Sequence, residues 1–309
     1  MGSKFEGVIT AMVTPLRSRG KEIDFEATER LVNFLIEKEV DGLFILGTFG
    51  EGMLLGIDER KRFTERVISC VNKRVLVIVH ISHMETERTR ELIAHAMDKG
   101  ADAVALLTPF FYLVSEKAME KYFKQTFKEF KDIPFFIYNI PQLTGNDVSL
   151  AVLQNLVKDC PNFVGVKNST SDFMSFERLL TLKDKISLFV GNDYFDYVAL
   201  ALGAKGIVSG PSTAIPEPYV RLYRAFKRRD YEGAKKEQIA LNNFFEKSRK
   251  TLDLREEEEF SFYKRVLQAR GLNIEGEMKE PLPTLESSKQ EIIVHLVEEF
   301  LQNEHMDKY

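Results

Sequence analysis

Several things are scarce in this sequence. Its 309 residues include two cysteines, Cys70 and Cys160, and no tryptophan. Two cysteines without a C-x-x-C spacing offer neither a disulfide framework nor a zinc site, and a reducing cytosol is the natural setting. No uninterrupted apolar window of about 18 residues exists, so nothing is expected to span a membrane as a helix. Neither sign of charge dominates: 43 Lys and Arg stand against 47 Asp and Glu, a net charge of −4. That balance argues against a nucleic-acid or anionic-membrane partner. Met1 to Gly7 lack the apolar core of a signal peptide, and Glu6 stands where a myristoylation signature wants Ser or Thr. There is no P-loop, no G-x-G-x-x-G, no internal repeat and no low-complexity segment.

What is present is ordinary for a soluble globular protein: 44% hydrophobic and 29% charged residues, in a chain long enough for one barrel-sized domain or two smaller ones. Short apolar runs alternate with longer amphipathic ones. Eight strands are predicted, over Gly7–Pro15, Gly42–Gly47, Val75–Ile81, Ala103–Pro109, Pro134–Ile140, Phe163–Asn168, Ile186–Asn192 and Gly206–Gly210. Helical patterns lie between them, with Asp24, Ser115, Ser149 and Ser171 as expected N-caps and Lys99-Gly100 as a stop. Alternation of this kind gives parallel strands with right-handed crossovers. Eight units in about 220 residues predict an α/β fold, a (β/α)8 or TIM barrel. An open doubly wound sheet is the rival architecture. The barrel is expected over residues 1–228 and an appended helical bundle over 229–309. The run Glu256-Glu257-Glu258-Glu259 reads as the solvated face and start of a helix.

Chemistry is sought at the downstream strand ends, where such barrels open to their ligands. Phe163-Val164-Gly165-Val166 runs straight into Lys167. Burial disfavours an ammonium, so an amine there can act as a nucleophile and condense with a carbonyl substrate. The bland alternative is a lysine snorkelling from a strand end. Gly47-Thr48-Phe49-Gly50-Glu51-Gly52 can form an anion-binding concavity or simply a tight turn. Tyr138, on the neighbouring strand, could relay protons with Thr48 orienting its hydroxyl, or it could pack as an ordinary aromatic. His80 and His83 at i, i+3 invite a metal reading, but zinc needs three or four converging ligands, so no metal is expected. Phe110-Phe111-Tyr112 suits a subunit contact, a pocket lining or core packing.

Taken together, these strand ends resemble the pyruvate-dependent class I aldolase and lyase family that includes dihydrodipicolinate synthase, N-acetylneuraminate lyase and the archaeal 2-keto-3-deoxygluconate aldolases. The matching segments are Thr10 to Pro15, Gly47 to Glu51, Thr108-Pro109-Phe110-Phe111, Tyr138-Asn139-Ile140-Pro141 with Thr144-Gly145, and Gly165-Val166-Lys167. The likeness extends over the C-terminal helices and Lys279-Glu280-Pro281-Leu282-Pro283. It implies a Schiff-base lysine at Lys167, a proton relay at Tyr138 connected with Thr48, and no metal or organic cofactor. It implies pyruvate and an aldehyde as substrates, with Phe49 beside the pyruvate carboxylate and Val208 packed beside pyruvate. Phe49 replaces a hydroxyl residue, so only its amide remains to donate. Leu143 stands where the dihydrodipicolinate synthases carry a carboxylate-binding arginine, whose charge and fork geometry leucine cannot supply. Phe111 replaces a relay tyrosine given across the subunit contact, and Tyr112, adjacent to it, is the candidate substrate-binding residue in its place.

Leu143 resembles the sialic acid lyases, and Gly206 to Glu217 the sugar-acid aldolases. The resemblance therefore implies reversible cleavage of a 2-keto-3-deoxy sugar acid, most simply 2-keto-3-deoxygluconate. The strand-end segment Gly191-Asn192-Asp193, together with Thr144, Ser209 and Ser212, would meet its hydroxyls. The implied assembly is a homotetramer and the implied location cytoplasmic. The alternatives are a sialic acid lyase, a dihydrodipicolinate synthase-like enzyme or a dehydratase using the same imine. A pyruvate-binding protein without catalysis and a metal-dependent barrel hydrolase are more distant ones.

Overall fold

The computed structural model describes residues 4–306; part of the N-terminal stretch weighed above as a leader, and the last three residues of the extension, lie outside them. Eight parallel strands close into a barrel: β1 (Gly7–Ala11), β2 (Gly42–Ile45), β3 (Leu76–His80), β4 (Ala103–Leu107), β5 (Phe135–Asn139), β6 (Phe163–Asn168), β7 (Ser187–Val190) and β8 (Gly206–Ser209). Each predicted strand contains one of these, with frayed ends trimmed. β1 pairs with both β2 and β8, which closes the ring.

The chain returns from one strand to the next through helices: α1 (Phe25–Glu37), α2 (Ile57–Val71), α3 (Thr86–Lys99), α4 (Glu116–Glu129), the short α5 (Pro141–Thr144), α6 (Leu150–Asp159), α7 (Phe173–Leu179) and α8 (Asp196–Leu202). After β8 come α9 (Pro216–Lys227), α10 (Tyr231–Leu252), α11 (Glu259–Ala269) and α12 (Gln290–Met306). Asp24, Ser115 and Ser149 cap their helices through side-chain oxygens. Gly100 ends α3 in the left-handed conformation. The cap of α7 is Asp172 rather than Ser171, because the Asp172 carboxylate accepts from Met174 N–H. A two-stranded hairpin, Leu16–Arg17 with Glu22–Ile23, had no sequence signal of its own.

Strand side chains alternate between the barrel interior and the helix layer. Ile9, Phe44, Ile78, Ala105, Phe136, Tyr138, Phe189 and Val208 fill the interior. Their neighbours Val8, Leu43, Val79, Val104, Ile137 and Ile207 pack against the helices. Strands buried on both faces need this near-continuous apolar composition. No described helix is long and apolar enough to cross a membrane.

Candidate active site

Lys167 is the fifth residue of β6, and it pairs in register with Tyr138 of β5 and Phe189 of β7. It is 5% exposed. Its Nζ lies 4.0 Å from the centre of the Tyr138 ring and 4.3 Å from that of Phe44. The electron-rich ring faces are suited to a cation at that nitrogen. Space for the side chain depends on Gly191: a Cβ there would lie 3.3 Å from Lys167 Cε and run into Ser169 Oγ.

Tyr138 is buried, with its ring edge-on to Phe44 and His80. Its hydroxyl lies 2.9 Å from Thr48 Oγ1, so one of the two hydroxyls donates to the other in a hydrogen bond across the barrel mouth. His80 stands behind them. Its Nδ1 donates to the Leu46 carbonyl at 2.7 Å. Burial, with the nearby Arg60 charge, takes its pKa down to about 3, so the ring is a neutral spacer. His83 turns elsewhere, accepting from Glu85 N–H at 3.0 Å. The described residues contain no cluster of three metal-ligating side chains.

These groups open into a cavity of about 520 Å³. Thr48, Phe49, Tyr138, Leu143, Lys167, Gly191, Asn192, Asp193 and Val208 all line it. Phe49 holds its ring edge-on to Phe260 at 5.0 Å, with Tyr263 at 5.8 Å. Leu143 is exposed at the rim. Asp193 accepts from the Tyr219 hydroxyl at 2.8 Å. Burial raises the Asp193 pKa despite that bond and the Lys167 charge. Behind it Asp196 is buried with both oxygens unbonded. Burial, and then the Asp193 charge, push its pKa well above the usual carboxylate range.

Four predicted binding residues do not reach this cavity. Ser209 follows Val208 along β8 and, by strand alternation, faces away from the cavity; its hydroxyl accepts from Ser212 N–H at 3.0 Å and hydrogen-bonds the Asp193 carboxylate from behind. Ser212 bonds to Thr10 Oγ1 and the Ser209 carbonyl, both at 3.0 Å. Thr144 closes the short helix α5, turned inward to Thr108 and the Asn146 carbonyl. Tyr112 is 68% exposed, with the Phe111 ring against it, and stays out of its own chain's cavity.

The cavity has an outer wall that sequence reasoning missed. Arg249 of α10, with Glu256 and Glu257 in the single turn before α11 and Glu259 and Phe260 at its start, closes it. The acidic run is therefore not a purely solvated face. Glu258 is folded back onto Arg255. Burial, and then the Asp193 charge, push Glu259 up to about 7, against the opposing pull of Arg249. No local pattern marks these residues; their role comes only from the way α10 and α11 lie across the barrel mouth.

A closed parallel barrel with a cavity at the carboxyl ends of its strands is the build of a (β/α)8-barrel enzyme. More narrowly, the chain belongs to the dihydrodipicolinate synthetase family, whose model matches residues 4–300. It is 32% identical over 231 residues to the 4-hydroxy-tetrahydrodipicolinate synthase of Methanocaldococcus jannaschii, covering 75% of this chain and 78% of that one. The sialic acid aldolase of Ruminococcus gnavus is a structural neighbour, with a TM-score of 0.90 and 26% identity over 98% of this chain and 99% of that one. YagE, an E. coli K12 prophage protein of the dihydrodipicolinic acid synthase family solved with pyruvate, matches with a TM-score of 0.88 and 26% identity over 97% and 99%. The relatives are synthases and aldolases, and the chain is an enzyme of that family.

Proposed function

We propose that the chain is a class I aldolase that reversibly cleaves a 2-keto-3-deoxy sugar acid, such as 2-keto-3-deoxygluconate, to pyruvate and an aldehyde. The observation that carries this reading is the buried Lys167 amine, facing a cavity beside the Tyr138–Thr48 hydroxyl pair. Lys167 Nζ attacks the C2 carbonyl, and Tyr138 gives the proton with which the carbinolamine loses water. The resulting iminium sits over the ring faces of Tyr138 and Phe44, which favour its charge. It draws the electrons of the C3–C4 bond as Tyr138 takes the proton from the C4 hydroxyl. The aldehyde leaves, and the enamine is protonated and hydrolysed to pyruvate. Phe49 and Val208 border the pyruvate end, while Asn192, Asp193 and Leu143 border the aldehyde end.

Borohydride added with pyruvate should fix a reduced adduct on Lys167, read by peptide mass mapping. A label on another lysine, or none, overturns the mechanism.

A second reading is dihydrodipicolinate synthase-like condensation, favoured by the names of the curated relatives. Arg249, a guanidinium at the cavity wall without an ion pair among the described residues, could meet an acceptor carboxylate. Leu143 speaks against it, and so does the acidic company of Arg249. A sialic acid aldolase activity shares the same imine. A panel of 2-keto-3-deoxygluconate, N-acetylneuraminate and pyruvate with aspartate semialdehyde separates the three.

The proposal includes a catalytic barrel over 1–228 with a helical extension over 229–309 that completes the cavity wall, a homotetrameric assembly and a cytoplasmic location. It calls for no metal or organic cofactor, since the imine is the electron sink.

A further inference from the structure

The loop that carries Thr48 and Phe49 is tightly wound and strained. Leu46 and Glu51 both adopt left-handed backbone conformations, with φ of 62° and 52°. Such values are unfavourable for an L-residue and persist only where the surroundings enforce them. Backbone bonds from Glu51 N–H to Thr48 O at 3.1 Å and from Gly52 N–H to Gly47 O at 3.2 Å make the turn one rigid unit. Whatever fixes Glu51 therefore fixes Thr48.

What fixes Glu51 comes from 213 residues further along the chain. Lys264 of α11 donates from Nζ to Glu51 Oε1 at 2.5 Å, and both side chains are fully buried. The second oxygen, Oε2, accepts from the Lys279 N–H at 2.6 Å. Lys264 donates again to the Glu277 carbonyl at 2.7 Å. The same helix presents Phe260 and Tyr263 to the Phe49 ring. A buried ion pair is a poor way to gain stability, because an apolar pair of similar volume does as well or better. It does give one defined geometry, through directional charged hydrogen bonds.

We infer that Glu51 and Lys264 are positioning residues, through which α11 holds the Thr48 hydroxyl against Tyr138 for imine formation. This rests on the aldolase reading above. The pair touches no substrate and acts only through the loop.

The test follows borohydride trapping of pyruvate over time in four full-length proteins: the parent, Glu51→Gln/Lys264→Met, Thr48→Val, and the combined triple variant. The double variant removes both charges together, so neither is left unpaired. The amide that replaces the Glu51 carboxylate keeps an oxygen to accept from Lys279 N–H. Trapping should slow at least tenfold in the double variant while the pyruvate concentration for half-saturation moves less than threefold. The triple variant should be no slower than Thr48→Val alone, because the lost hydroxyl is the one being positioned. Trapping at the parent rate in a folded double variant overturns the inference. So does an equal slowing in the Thr48→Val background, since a merely structural loss acts whether or not the hydroxyl is there. Should the double variant fail to fold, Glu51→Asp keeps the charge and shortens its reach. It should slow trapping with near-UV circular dichroism unchanged, and an unaltered rate overturns the inference equally. A parent protein that traps no pyruvate overturns the aldolase reading and the inference with it, which separates that failure from one in the variants alone.

Discussion

Gly191→Ala isolates the contact that leaves room for Lys167. Gly191 does not use a left-handed backbone, so alanine meets no conformational penalty and the entire effect is steric. The new methyl would stand 3.3 Å from Lys167 Cε, inside ordinary van der Waals separation, 3.3 Å from the Asn168 carbonyl, and in collision with Ser169 Oγ. Overpacking by one methyl in a tight interior costs about 1–3 kcal/mol. If that energy falls on the position of the lysine, imine formation slows by about 5- to 150-fold, at about 1.36 kcal/mol per tenfold. The rate is read from a borohydride trapping time course with pyruvate, alongside a thermal melt. Adding Ser169→Ala removes the worst collision and leaves the contact with the lysine. This second variant should recover the melting temperature but not the trapping rate. A folded Gly191→Ala protein that traps pyruvate within twofold of the parent rate refutes the argument that Gly191 is there to make room for the amine.

Two other perturbations address the neighbouring groups. Tyr138→Phe keeps the ring beside Lys167 and deletes only the hydroxyl, so imine formation should slow about 10²- to 10⁴-fold, the usual worth of a positioned acid–base; stopped-flow trapping at an undiminished rate would remove Tyr138 from the mechanism. Glu259 titrates near pH 7, where the outer wall gains a negative charge. For a carboxyl raised above its ordinary 4.5, the folded state keeps its proton longer than the unfolded one, so this group's share of stability is present at low pH and falls as pH rises from about 4.5 to about 7. For a carboxylated or phosphorylated aldehyde, kcat/KM should fall through pH 7 relative to a neutral aldehyde. Glu259→Gln should flatten that difference, and a profile indifferent to the substitution refutes the assignment.

The particular elements show what was local and what was not. Phe163 to Lys167 announces a buried strand ending in an amine, because apolar runs of that length with small residues fold the same way wherever they are placed. Asp24, Ser115 and Ser149 cap their helices because capping involves only residues within one turn. Tyr138 and Lys167 were legible as neighbours because consecutive strands in this topology lie side by side. Val208 and Ser209 were both assigned to the mouth, and the strand pleat allows only one of them to face it. The register was within reach of the sequence there, and alternation would have decided it.

By itself, then, the sequence determined the eight strands, most caps and the line of strand ends carrying Lys167, Tyr138 and Thr48. Local periodicity and nearest-neighbour geometry suffice for those. Only the tertiary structure decided that Arg249, Glu259 and Phe260 wall the cavity and that Lys264 reaches Glu51. Which face of an appended helix covers the barrel depends on packing between segments hundreds of residues apart, and no short-range pattern in the chain encodes that choice.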